Sequence, residues 1–232
     1  RFLDLGLAKE KLHITGSVKF DIKVTEKELE KGKALRKFFG RPRQVWVAAS
    51  THPGEEAQVL LAHQALLKKF PDALLVLVPR HPDRFDEVAL LLEKHQWSFV
   101  RRTQEQQPNS ETQVYLADTL GEMMAFYAAG DIAFVAGSFK AIGGHNVLEP
   151  AALAKPVVTG PELFNFQKAT DLLRQAHAMK VVSDEVELAR VLCELFESPE
   201  AQRKLGVAAL DVVEANRGAL DKQFALIERF LG

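Results

Sequence analysis

Short unbroken apolar runs alternate with longer mixed stretches along most of the chain. The runs are Val45-Trp46-Val47-Ala48-Ala49, Leu74-Leu75-Val76-Leu77-Val78, Ser98-Phe99-Val100-Arg101-Arg102, Val114-Tyr115-Leu116-Ala117, Ile132-Ala133-Phe134-Val135-Ala136, Val157-Val158 and Met179-Lys180-Val181-Val182. Most do not alternate with polar residues, so they predict strands covered by helices on both faces. The stretches between them predict helices. One starts at the N-cap Thr25 and ends at Phe39 before Gly40 and Pro42. Others run from Glu55 to about Phe70, from about Asp83 to His95, to about Ala129, and from about Phe166 to Ala176. The remainder is helical, broken near Ser198-Pro199 and Asn216-Arg217-Gly218. Residues 1–24 read as a lead-in, and the stretches 103–112 and 161–167 as loops. Strands alternating with helices mean βαβ units. The expectation is therefore an α/β fold: a Rossmann-like parallel sheet with helices on both faces.

In such sheets ligands bind beyond the carboxyl ends of the strands. The unusual residues fall there: Thr51-His52 after one strand, Arg80-His81 after another, Asp118-Thr119 after a third, and Gly137-Ser138 after a fourth. The richest segment is Gly137-Ser138-Phe139-Lys140-Ala141-Ile142-Gly143-Gly144-His145-Asn146-Val147-Leu148-Glu149-Pro150. Its glycines permit tight turns and close approach of backbone to a ligand. A helix starting after it directs unpaired N–H groups and the positive end of its dipole at the loop, which suits a phosphate. Glu149 is an acceptor-only carboxylate that can take two hydroxyl donors, which suits a ribose. Asn146-x-x-Glu149 equally fits a capping box, and Glu149-Pro150 an acidic first turn with Pro at N1.

Arg80 stands between Pro79 and Pro82 with His81, so the backbone holds its direction. Aimed at a phosphate, its guanidinium makes charge-assisted hydrogen bonds; the plainer alternative is a surface pair with Asp83 or Glu87. His52 can bind an anion or pack in its loop, and Glu55 and Glu56 suit a helix N-terminus. Thr119-x-x-Glu122 fits a second capping box. Gly121 within it removes a side chain, leaving the amides of Leu120, Gly121 and Glu122 open to a base or phosphate. Met123 and Met124 can line a pocket, though at helical spacing Met also serves the core. His145 is expected to contact ligand or hold the loop. No Ser-His-Asp or Cys-His set is visible.

The net charge of −1 in 232 residues gives no basic face for nucleic acid, and 47% hydrophobic with 26% charged residues is ordinary globular composition. The single Cys193 excludes an internal disulfide framework and fits a reducing compartment, and no spaced Cys/His cluster marks a metal site. No run of about 18 apolar residues spans a membrane and no signal peptide is visible. The chain opens on Arg1 and reads as a piece of a longer protein.

Five motifs, in order, carry a resemblance: Ser50-Thr51-His52-x-Gly54-Glu55-Glu56, Val78-Pro79-Arg80-His81-Pro82-x-Arg84-Phe85, Asp118-Thr119-x-Gly121-Glu122-Met123, Gly143-Gly144-His145-Asn146-x-Leu148-Glu149-Pro150 and Gly160-Pro161-x-x-Phe164-Asn165-Phe166. The chain resembles the C-terminal half of the 3-deoxy-D-manno-octulosonic acid (Kdo) transferases, and Thr15-Gly16-x-x-Lys19-Phe20-Asp21 resembles the segment joining that family's halves. The resemblance implies a GT-B glycosyltransferase, two Rossmann-like domains facing across a cleft. It divides this chain into an interdomain linker, 1–24, and a donor-binding domain, 25–232, and leaves the N-terminal acceptor domain outside it. That domain would carry the glutamate general base, so no catalytic residue is expected here and the chain alone should bind donor without turnover. The donor would be CMP-Kdo and the acceptor a lipid A precursor, with no metal and no cofactor. The whole enzyme would sit on the cytoplasmic face of the Gram-negative inner membrane, held by its N-terminal half, with this part soluble. The CMP contacts implied are Pro79, Arg80, Leu120, Gly121, Glu122, Met123, Asn146, Val147, Leu148 and Glu149, with His52, Ser138, Gly143, Gly144 and His145 as further candidates. Ala136-Gly137-Ser138 departs from the Gly-Gly-Ser expected of the family. Two alternatives stand beside this: a GT-B donor domain for a UDP-sugar, and a non-enzymatic interaction domain. Preference for CMP over UMP separates them.

Overall fold

The computed structural model describes residues 1–40 and 42–231. Among the described residues seven strands form one parallel sheet: β1 (Val45–Thr51), β2 (Leu74–Pro79), β3 (Phe99–Arg101), β4 (Val114–Leu116), β5 (Ile132–Val135), β6 (Val157–Thr159) and β7 (Lys180–Val181), in the order β3-β4-β2-β1-β5-β6-β7. The helices are α1 (Glu26–Phe39), α2 (Glu55–Leu67), α3 (Phe85–Lys94), α4 (Met123–Ala129), α5 (Leu148–Ala152), α6 (Gln167–Gln175), α7 (Glu185–Glu197), α8 (Pro199–Ala215) and α9 (Ala219–Leu231).

The unbroken apolar runs divide between two cores by the period of two that any strand imposes. In β1, Trp46 and Ala48 join the core under α2, α3 and α7, while Val45, Val47 and Ala49 join the core under α1 and α4. Leu75 and Leu77 of β2 take the first side, and Leu74, Val76 and Val78 the second. A third core joins Phe20, Val147, Leu148, Ala151 and Leu173 to α8. Thr25 forms a full capping box with Glu28 at the start of α1. Gly32 lets α1 lie directly on Ala128 of α4, where a Cβ would collide.

The lead-in forms short 3-10 turns at Lys9–Lys11 and Val18–Phe20. Its last residues are anchored. Phe20 is buried, Asp21 accepts from the amides of Gly218 (2.6 Å) and Leu220 (2.7 Å) at the start of α9, and Arg217 donates to the Ile22 carbonyl (2.7 Å). No helix among the described residues is long and apolar enough to cross a membrane.

Candidate functional site

The strand order changes direction between β1 and β5, and the loops after these strands diverge there. This is the crevice that doubly wound sheets use for ligands. Ser50 sits at φ 60° where the β1–β2 register slips, an irregularity that turns the chain out at Thr51-His52. The Thr51 carbonyl accepts from the Arg80 amide (3.0 Å), tying the loops after β1 and β2 together.

The glycine-rich loop is held by a residue that sequence reasoning assigned to helix electrostatics. Glu55, fully buried, accepts from the amides of Gly137 (2.8 Å), Ser138 (2.9 Å) and Phe139 (3.0 Å), and from that of His52 (3.1 Å). These are amides expected to cradle a phosphate, and an internal carboxylate occupies them instead. Ser138 is likewise inside: its hydroxyl donates to the Val135 carbonyl (2.8 Å) and accepts from the Gly160 amide (2.8 Å). Gly143 and Gly144 are buried, and they serve close packing against the next loop. The Asn165 amide donates to the Gly143 carbonyl (2.9 Å), and that of Gly144 to the Gly137 carbonyl (2.7 Å).

Arg80 is exposed at the end of β2, and among the described residues no carboxylate pairs with it. Glu87, its alternative partner, pairs with Arg84 (3.2 Å). Arg84 is buried and also bridges Glu56, which pins the loop after β2 to α2. Arg80 lies close enough to both Glu149 and His145 to influence their protonation.

Glu149 is half-buried in the first turn of α5, and burial pushes its carboxyl above the usual range against the opposing pull of Asn146 and Arg80. The Asn146 side chain donates to Glu149 (3.1 Å) and accepts from the Leu148 amide (3.1 Å). The expected capping box does not form: α5 has Val147 as N-cap with no side-chain cap, and Pro150 takes the third helical position. Val147 and Leu148 put their side chains in the core, leaving their main chains to the site. Pro79, also buried, ends β2.

The second expected capping box also fails. Thr119 donates to the Glu122 carboxylate (2.6 Å), which Arg102 grips with two bonds of 3.1 Å, while α4 begins only at Met123. Gly121 takes φ 75° with nothing within reach of a Cβ, and Leu120 is exposed. Among the described residues the amides of Leu120, Gly121, Glu122 and Met123 have no acceptor. Met123 is half-buried against the α1–α4 core. Asp118 is structural, accepting from Arg101 (2.7 Å) and from the Thr103 amide (2.9 Å) and hydroxyl (2.6 Å).

Three histidines meet beside Arg80. The rings of His52 and His145 lie in parallel planes with their Nε2 atoms 2.7 Å apart, and His81 meets His52 edge-on at 5.5 Å. Burial, then His52 and Arg80, pushes the His145 imidazole down to about 4, and burial lowers that of His52. At neutral pH one ring therefore donates its proton to the other. Gly137 makes room for this pair: a Cβ there would lie 2.7 Å from the His145 ring. Lys140 extends its ammonium over the turn at Gly54, within 2.6 Å of where a Cβ would stand. The sequence marked His81 only as the neighbour of Arg80 and gave Lys140 no role, because nothing local marks two residues that converge from different loops. No three His, Cys, Asp or Glu side chains among the described residues converge as metal ligands.

The doubly wound parallel sheet, with Arg80 and Glu149 on the loops beyond its strand ends, is of the class of the C-terminal Rossmann-like domain of a GT-B glycosyltransferase. The chain is 35% identical to the solved C-terminal CMP-Kdo binding domain of WaaA from Acinetobacter baumannii, with a TM-score of 0.78 over 82% of this chain and 99% of that one. It is 44% identical over its full length to the 3-deoxy-D-manno-octulosonic acid transferase of Haemophilus influenzae, of which it covers 54%. It is 37% identical over 94% of its length to that of Bordetella pertussis, covering 52%. Anabaena HepE in complex with UDP-glucose, at 16% identity and a TM-score of 0.60, shares the fold. No family model matches. The chain belongs to the Kdo transferase family and spans about half the length of the curated relatives it matches.

Proposed function

We propose that this chain is the donor half of a Kdo transferase, holding CMP-Kdo across the β1–β5 switch point. The observation that carries the reading is the arrangement of Arg80 and Glu149. An exposed guanidinium that no carboxylate pairs with among the described residues lies near a half-buried carboxylate whose proton affinity burial has raised. Arg80 takes the nucleotide phosphate, and Glu149, oriented by Asn146, accepts the ribose hydroxyls. The unpaired amides of Leu120, Gly121 and Glu122 offer donors to the acceptor edge of cytosine, and Met123 flanks it. Pro79 fixes the backbone that carries Arg80. The main chain of Val147 and Leu148 borders the ribose. The solved Acinetobacter domain, described as CMP-Kdo binding, supports this choice of nucleotide.

The reading assigns the glycine-rich loop a supporting role, since Glu55 fills it. It places the acceptor, a lipid A precursor, and the general base on an N-terminal domain facing this edge. It takes residues 1–24 as the connection to that domain, puts the whole enzyme at the cytoplasmic face of the inner membrane, and needs no metal.

Calorimetric titration of the chain with CMP, and with UMP as control, tests the reading. CMP-selective binding that Arg80→Ala and Glu149→Ala each weaken tenfold or more supports it. Binding of UMP as tight as CMP would move the chain to a UDP-sugar donor domain, and full CMP affinity in both folded variants would overturn the site.

A further inference from the structure

The carboxyl edge of the sheet carries more positive charge than one phosphate requires. Glu55 is engaged by four amides and Glu56 by Arg84, so both carboxylates are committed within the fold. Arg80 and Lys140 have no acidic partner among the described residues. The polar groups also form a linked series. Glu149 stands at one end and Arg80 next, near both Glu149 and His145; His145 is bonded to His52, and His52 touches His81. Lys140 lies over the Gly54 turn that follows His52.

Resting on the donor-site reading, we propose that His52, His81 and Lys140 form a subsite for the carboxylate of the donor's ulosonic acid, next to Arg80. A CMP-linked ulosonic acid presents ribose, phosphate and carboxylate, and the series Glu149, Arg80, histidines and Lys140 offers a partner to each. A neutral hexose on a nucleotide would leave the Lys140 ammonium without an anion to meet. Burial disfavours the His52 imidazolium, as do His81 and Arg84, while Glu55 and then Glu56, whose Oε2 is buried and unpartnered, favour it. His145 acts through His52 as a positioning residue: their Nε2 contact fixes the ring against Gly137.

The test compares affinities of the 232-residue chain for CMP and for freshly made CMP-Kdo, in the natural protein and in the double variant His81→Gln, Lys140→Met. Both side chains are exposed, so the variant should fold, which its circular dichroism melt checks. The natural chain is expected to bind CMP-Kdo about tenfold or more tighter than CMP, and the double variant to lose that preference while keeping CMP affinity within about twofold. His52→Gln should lose the preference too. A variant that keeps the full preference, or a natural chain that binds CMP in an Arg80-dependent way yet shows no preference, overturns the carboxylate subsite alone. A natural chain that binds neither ligand overturns the donor-site reading and this one with it.

Discussion

Glu55→Gln removes a single charge and no volume, yet it should be among the most damaging changes available outside the cores. Oε1 of Glu55 accepts from Ser138 and Phe139, and Oε2 from His52 and Gly137. Glutamine keeps one oxygen. Whichever way its amide is turned, an NH2 faces two backbone N–H donors, in a place where Glu55 is fully buried and water cannot substitute. A buried donor without an acceptor costs about 1–3 kcal/mol, so the pair costs about 2–6 kcal/mol, and loss of the charged acceptor weakens the remaining bonds as well. Relaxation of the loop brings the expected loss to about 3 kcal/mol. With a urea slope of about 3 kcal/mol/M for a chain of this size, the unfolding midpoint falls by about 1 M. Glu55→Asp keeps both oxygens but withdraws them by one methylene and should fall between. The assays are urea unfolding and amide exchange at Gly137, Ser138 and Phe139. A Glu55→Gln midpoint within about 0.2 M of the natural chain, with these amides still protected, would refute the clamp.

Arg80→Ala should leave the melting temperature unchanged, because the side chain is exposed and unpaired, while weakening CMP binding at least about tenfold; calorimetry reads both. Gly32→Ala improves intrinsic helix propensity by about 1 kcal/mol, yet it drives a methyl group into Ala128 and should destabilise net by about 1–3 kcal/mol in urea unfolding. His63 should give the fold a pH-dependent loss of stability. Its Nδ1 accepts from Trp46 Nε1 (3.2 Å) and its Nε2 donates to the Gln113 carbonyl (2.9 Å), which describes a neutral ring, and burial pushes its pKa down to about 3. The unfolded chain takes up a proton below about pH 6.5 while the folded ring stays neutral, so this contribution is complete above pH 6.5 and erodes toward pH 3. The erosion amounts to several kcal/mol, and His63→Asn should flatten it in urea midpoints measured across that range.

Periodicity alone was enough for the architecture. The unbroken runs at 45–49, 74–78 and 132–136 became the three central strands, because a strand buried on both faces admits no polar alternation. The Thr25 capping box was legible because both partners lie within one turn. The same motif misled at Thr119-x-x-Glu122 and Asn146-x-x-Glu149. In the first, Arg102 holds the glutamate from another loop; in the second, helix α5 takes Val147 as its N-cap, one residue past the asparagine.

The site divides along the same line. Sequence by itself determined that the polar residues gather at the carboxyl edge of a parallel sheet and that Arg80 and Glu149 belong there, since strand order along the chain places consecutive loops on one side. Only the tertiary structure decided which groups remain free to meet a ligand. Glu55 reaches the glycine-rich loop 82 residues away and fills it, Ser138 turns inward, and His52, His81 and His145 converge from three loops. Hydrogen bonds and charges act through distance in space, and residues far apart in sequence become neighbours only once the sheet has set its order.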